Sequence, residues 1–435
     1  MASQTTATVT PWSKQHKRVT RASAGGLPHN LSNSYANPLR SSDLLRLARE
    51  RGDGDLADEY LDHGLGYTPN GGSGDLRAEI AEHYGEGMEA TDVLVFPGAQ
   101  VALQTVAQAL VGGGGGHCIT FSPGYQSIVQ GPLLAGGRVT AIPLHAENGW
   151  QVSLPDVEAA IEPDTRAIWI NEPYNPAGTL MAPQLQADLI DLADRHGLAI
   201  LSDEVYRMLE HDPSHRLPAM ASAYSRGISV VTLSKPWGAC GITIGWAACR
   251  NRELLGRIAD AQYFGTACPS RASEIQAMMV LRASDVILDK NLGILRRNLS
   301  LLEAFVARYR DLFAWVKPRA GAIAALRFLG PMTSAELGKE LAGEGISIKP
   351  AYCFADGASV EEERDYFRVG FGEEVMPLGA RGARNLRRGA QGGVEKCNDC
   401  GFLMFFTMAF ITTTTQQHSV QSPLASKMRS RRTSR

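Results

Sequence analysis

Short apolar runs recur along this chain at residues 93–96, 118–121, 139–144, 167–171, 199–202, 230–233 and 242–249. Each is rich in β-branched side chains and is bounded by Gly, Pro, Ser or Asp, as strands buried on both faces should be. The segments between them carry helical spacing. Residues 184–196 place Leu185, Leu189, Leu192 and Ala193 on one face, and Gly197 then stops the helix. Alternating strands and helices bury their apolar surfaces as a mostly parallel sheet with helices on both faces. Sheets of this kind bind ligands beyond the carboxyl ends of their strands. Residues 171–178, 203–206 and 232–238 all fall at such ends.

From about Cys268 the texture changes. A long helical stretch (270–309) precedes an apolar run at 322–329, a helix near 334–343 and short runs at 346–349 and 366–372. This pattern describes a smaller α+β domain. The expected organisation is a disordered leader (1–29), a segment packing on the small domain (30–65), a large domain (66–268), a small domain (269–380) and a disordered tail (381–435). The tail mixes a basic stretch, an apolar run and a threonine block without a sustained period. Its Cys397 and Cys400 would supply two of the four ligands of a structural metal and no second pair exists, so no metal is expected. The five glycines 112–116 read as a surface turn after a helix over 101–110.

With 435 residues, 44% of them hydrophobic, the chain can bury one large core or two modest ones. A formal net charge of -2 gives no electrostatic case for nucleic acid or an anionic membrane as partner. Seven scattered cysteines, an odd number, look like reduced thiols of a cytosol-like compartment. No stretch reaches the roughly 20 apolar residues that span a bilayer. A cytoplasmic location is expected, with an organellar one as the alternative because residues 1–40 lack acidic side chains.

The strand-end segments carry a set of groups in fixed order. Asn175 lies in Asn175-Pro176-Ala177-Gly178, and Asp203 and Tyr206 in Asp203-Glu204-Val205-Tyr206. Lys235 lies in Thr232-Leu233-Ser234-Lys235-Pro236-Trp237-Gly238. Pyridoxal 5'-phosphate (PLP) needs such groups: an amine for its aldehyde, a carboxylate for its ring nitrogen and donors for its ring oxygen. Each residue alone has a plainer role, as a surface lysine, a helix cap or a turn. Lys235, however, follows a buried strand and precedes a glycine-bearing turn, which suits an amine that must be fixed and partly desolvated. Gly98-Ala99-Gln100 follows the 93–96 strand and opens a helix, where free backbone N–H groups make a natural phosphate seat. Arg368, in Phe367-Arg368-Val369-Gly370-Phe371, presents a planar fork that matches a carboxylate.

From about Asn30 to Gly372 these motifs resemble the class I/II aminotransferases, the fold type I PLP enzymes. The resemblance implies an α/β fold, with a large domain built on a mostly parallel seven-stranded sheet in an αβα sandwich plus a smaller α+β domain. It implies that Ala99, Gln100 and Thr232 hold the cofactor phosphate and that Tyr125 stacks on the ring. Asp203 would pair with the ring nitrogen, and Asn175 and Tyr206 with the ring oxygen. Lys235 would form the Schiff base and move the substrate proton, while Arg368 and Asn175 bind the substrate. Tyr67 resembles the tyrosine that reaches the phosphate of the other subunit, which implies a homodimer with shared sites. The implied partners are an amino acid and a 2-oxo acid, and the implied reaction is amino-group transfer. A lyase, an amino-acid cyclase or a non-catalytic relative would share these motifs. One departure stands out. Where the family places arginine in a Leu-Arg-Ile-Gly pattern beside the phosphate, this chain reads Gly241-Ile242-Thr243-Ile244-Gly245. The substrate's side chain is left open, since it depends on loops such as Asn33-Ser34-Tyr35.

Overall fold

The computed structural model describes residues 3–5, 29–266, 268–354 and 365–374. The tail (381–435) and most of the leader lie outside the described residues. Two short strands come from the N-terminal stretch, β1 (Ser3–Thr5) and β2 (His29–Asn30). The body supplies β3 (Val93–Phe96), β4 (His117–Ser122), β5 (Arg138–Pro143), β6 (Thr165–Asn171), β7 (Ala199–Asp203), β8 (Gly227–Thr232) and β9 (Gly245–Ala248). The C-terminal part supplies β10 (Phe313–Trp315), β11 (Ile323–Phe328), β12 (Ile346–Ser347), β13 (Lys349–Pro350) and β14 (Tyr366–Gly370).

The large sheet runs β1-β5-β4-β6-β7-β8-β9-β3. The four pairings from β5 to β8 are parallel, and β9 runs antiparallel to both of its neighbours. The seven expected strands are all present. An eighth, β1, adds antiparallel to β5 at the edge, within the stretch expected to be a disordered leader. Edge pairing is made by backbone groups, so a polar stretch such as Ser3-Gln4-Thr5 gives no apolar signal for it. The expected strand at 242–249 is shorter than the apolar run because Cys240–Ile242 forms a 3-10 turn and Thr243 takes a left-handed φ of 58°. The long stretch at 270–309 is two helices, Arg271–Arg282 and Ser284–Arg308, with Ala283 between them.

Alternation along the strands divides the core. In β6, Ala167 and Trp169 face the helix Ala99–Val111, while Ile168 and Ile170 face the helix Pro183–Arg195. In β3, Leu94 and Phe96 join the first of these layers. Val93 and Val95 instead meet the helices Ser41–Arg51, Gly54–Leu61, Gly74–Glu82 and Arg271–Arg282. Each large apolar side chain buried this way contributes about 1.5–3 kcal/mol. The smaller sheet, β10-β11-β14-β13, is antiparallel and lies against Leu295, Leu302 and Phe305 of the helix Ser284–Arg308.

The segment at 29–39 crosses from one sheet to the other. β2 pairs in parallel with β12, and the N–H of Gly370 donates to the carbonyl of Leu31. Farther on, the Ala36 N–H donates to the carbonyl of Lys235 (2.9 Å). Glycine makes this crossing possible. A Cβ at Gly370 would lie 1.8 Å from the Asn33 carbonyl oxygen, and one at Gly238 would lie 2.1 Å from that of Asn37. The helices that follow, Ser41–Arg51 and Gly54–Leu61, pack with Leu76, Ile80 and Ile275 beside the large sheet.

Candidate active site

The carboxyl ends of β6, β7 and β8 lie side by side in the sheet. Asn171 ends β6 and ties two of the motifs together. Its amide donates to the Asp203 carbonyl (2.7 Å), and its Oδ1 accepts from the Asn175 N–H (2.8 Å). Asp203 ends β7 and is 1% exposed. Burial lifts its carboxyl from the ordinary range to about 7, against the Val205 N–H and the Lys235 charge, which pull it down. That N–H donates to Oδ1 across a long 3.3 Å. Tyr206, in the turn after β7, is buried and shares a hydrogen bond with the Ser34 hydroxyl.

Lys235 follows β8 in a tight turn, and its Nζ donates to Ser34 Oγ (3.0 Å). Burial, helped by the Arg368 charge, lowers its ammonium from the ordinary value to about 8. Arg368 comes from β14 and is 2% exposed. Its Nη1 donates to Asn175 Oδ1 (3.0 Å) and its Nη2 to the Ser32 carbonyl (2.8 Å), while the buried Nε has no hydrogen-bond partner among the described residues. One guanidinium donor is therefore desolvated and unanswered.

The phosphate-seat candidates gather around the N-terminus of the helix Ala99–Val111. Gly98, at a φ of 92°, caps the helix Ala99–Val111, whose first N–H groups have no acceptor within the helix. Gly245 of β9 lets the strand approach this end, since a Cβ there would sit 2.5 Å from the Ala99 nitrogen. Gln100 Oε1 accepts from both the Tyr125 hydroxyl (2.9 Å) and Ser127 Oγ (2.8 Å). Thr232 Oγ1 donates to the Ile244 carbonyl (3.0 Å) and lies 3.1 Å from Ser234 Oγ. Thr243 faces the same end, with its methyl 3.9 Å from where a Gly98 Cβ would be. Tyr67 stands apart from this cluster and is 94% exposed.

The family model "Aminotransferase class I and II" matches residues 61–374. The chain belongs to the class I and II aminotransferase family. Among relatives of this class I and II aminotransferase chain, the arginine–pyruvate transaminase of Pseudomonas aeruginosa is 34% identical over 217 residues, 46% of this chain and 53% of the relative. Capreomycidine synthase of Streptomyces vinaceus is 27% identical over 254 residues, 58% of this chain and 63% of the relative. The matched segments thus span about half to three-fifths of these relatives' length. A PLP-dependent aminotransferase structure from Streptococcus suis superposes with a TM-score of 0.75 at 25% identity, covering 88% of this chain and 97% of that one.

Class I and II aminotransferases use PLP. The residues here fit it. A buried carboxylate has one long hydrogen bond and no ion pair among the described residues, a helix N-terminus opens beside glycines, and a buried lysine with a lowered pKa acts on that carboxylate. Only the charge at the phosphate end falls short, because Thr243 stands where the family has arginine. Thr243→Arg is expected to tighten PLP about tenfold, the worth of one charge-assisted bond. Titration of the cofactor-free protein measures it. Unchanged affinity would mean that the seat is built around the smaller side chain.

Sequence reasoning did not find Ser32 and Ser34 as contacts, nor Asn171 as the brace. Residues 33–35 stood out only as a loop without a position, and a polar Ser-Asn-Ser run carries no period.

Proposed function

We propose that this protein transfers an amino group between an L-amino acid and a 2-oxo acid with PLP. The observation that carries the reading is the convergence of two hydrogen-bonded sets, Lys235–Ser34–Tyr206 and Asp203–Asn171–Asn175–Arg368–Ser32, joined by the segment 32–34. When bound, PLP supplies an aldehyde for the donor's amine and a ring that accepts electron density from the donor's α-carbon.

The chain's own residues do the rest. Ala99, Gln100 and Thr232 hold the phosphate, and Tyr125 lies against the ring. Asp203 keeps the ring nitrogen protonated, which relieves its own burial as an unpaired carboxylate. Asn175 uses its carbonyl on Arg368, so its amide N–H groups and the Tyr206 hydroxyl are the donors for the ring oxygen. Arg368 takes the α-carboxylate on its free Nε edge and so turns the α-carbon toward Lys235. Lys235, once its amine is free, would take the α-proton onto Nζ, 3.0 Å from Ser34 Oγ, and pass it to the cofactor before water releases the 2-oxo acid. For a second 2-oxo acid the same residues would act in reverse, Arg368 binding its carboxylate and Lys235 delivering the proton to its α-carbon.

A homodimer is part of this proposal. Leu65 (95% exposed), Tyr67 (94%) and Phe264 (89%) leave apolar surface that a second copy would cover. Tyr67 would then reach the partner's phosphate seat.

A relative named as a synthase favours keeping a second reading, in which the same site ends in a lyase or cyclase reaction. Incubation of the PLP-loaded protein with an amino donor and no acceptor separates the two. Transfer gives one equivalent of 2-oxo acid per site and leaves the cofactor as its amine. Continued product with the cofactor's spectrum unchanged would overturn the transfer reading.

A further inference from the structure

Lys349 lies opposite Arg368 in the β13–β14 pairing, so both side chains leave the same face of the small sheet. Both cations meet one aromatic ring. Lys349 Nζ is 6.0 Å from the centre of the Phe354 ring, and Arg368 Cζ is 5.2 Å from it. Lys349 has no carboxylate partner among the described residues. Burial acts against its charge most strongly, and the neighbouring charges of Arg368 and Lys235 are both unfavourable. Half-buried ammonium groups are normally paired, because water answers them only in part.

Charge counting at the substrate side of the proposed site, apart from the cofactor phosphate, leaves this cation over. Asp203 is answered by the cofactor's ring nitrogen, and Arg368 by the substrate's α-carboxylate. A substrate with one carboxylate leaves Lys349 unpaired, and one with a basic side chain adds a third positive charge. We infer that Lys349 determines specificity by binding a second carboxylate, so that the substrates are dicarboxylic amino acids and their 2-oxo diacids. This inference rests on the proposed role of Arg368. It needs no movement of the fold, since the register already places Lys349 beside Arg368.

The test uses the full chain loaded with PLP, with glutarate and butyrate as non-reacting probes in equilibrium titrations. The wild-type protein should prefer glutarate. K349M should reduce the glutarate-to-butyrate preference by at least about thirtyfold, the loss expected when one partner of a buried charge pair is removed. K349R should keep the preference, and PLP absorbance with a thermal melt establishes that each variant is folded and loaded. If K349M does not load, K349R and the wild type decide, since loss of the preference on retaining the charge would contradict the inference. A wild-type protein without preference for glutarate, or K349M weakening both probes equally, would overturn it. The two proposals fail separately. Tight glutarate binding without amino transfer from glutamate would sink the transferase reading alone. Transfer from alanine and glutamate with equal efficiency would sink only the role of Lys349.

Discussion

Lys235→Ala is expected to lower single-turnover amino transfer by at least about 10⁴-fold while leaving the fold intact. On the proposed reading the variant loses both the amine that holds the cofactor and the base that moves the α-proton, and general acid–base catalysis alone is worth about 10²–10⁴. The turn that presents Lys235 depends on its backbone, through the Ala36 N–H bond to the Lys235 carbonyl, and the Nζ bond to Ser34 lies at its edge. Far-UV circular dichroism and the melting temperature should therefore change little. Borohydride reduction of the loaded wild type should fix PLP on Lys235, found by peptide mass mapping, and the variant should give no adduct. An adduct on another lysine would remove Lys235 from the mechanism. The lowered pKa of about 8 adds a pH signature. Below it the amine is mostly protonated and cannot attack an aldehyde, so the loading rate of the cofactor-free protein should rise about tenfold per pH unit and level off above pH 8.

Asp203→Asn is the second large effect. An amide has no charge with which to hold the ring proton, so turnover should fall by roughly 10²–10³, the usual cost of losing a preorganised electrostatic partner. Stability of the cofactor-free protein should move the other way. The folded-state pKa of about 7 lies above the ordinary 3.8, so between these values the folded protein holds a proton that the unfolded chain has released. The contribution of Asp203 to stability is therefore present below about pH 4 and lost as pH rises through about 7. Asparagine carries no such dependence. The cofactor-free variant should unfold at higher denaturant than the wild type at pH 8, and the difference should close by pH 4. Equal midpoints at both pH values would mean that burial does not raise this carboxyl, and near wild-type turnover would mean that it does not face the ring nitrogen.

The positions of Lys235, Asp203 and Asn175 were legible because each depends on local structure, a strand end and the turn after it. β-branched runs specify the strands, and glycine or proline specifies where they stop, so the carboxyl ends can be read from a single pass along the chain. The same logic gave seven of the eight strands of the large sheet, all but β1, and the helix Ser334–Gly343, which begins at Thr333 with a capping box to Glu336. It failed where backbone departs from the apolar pattern. Thr243 at a φ of 58° delays the start of a strand that the apolar run places at 242, and Ala283 interrupts what looks like one helix.

Local pattern says nothing about which distant segments share a cleft. Arg368 and Asn175 are 193 residues apart in sequence and 3.0 Å apart in space. Ser34 reaches Lys235 only because the segment at 29–39 is threaded between two sheets, through space left by Gly238 and Gly370. Lys349 reads as one charge in an unremarkable Ile-Lys-Pro run until β13 is paired with β14 in a register that sets it opposite Arg368. The sequence by itself determined the α/β class, the strand ends and the chemistry of the groups placed on them, because those follow from short-range periodicity and side-chain type. The tertiary structure decided which residues meet at the candidate site and which cation has no carboxylate partner among the described residues, because register and close backbone approach are set by packing between segments far apart in the chain.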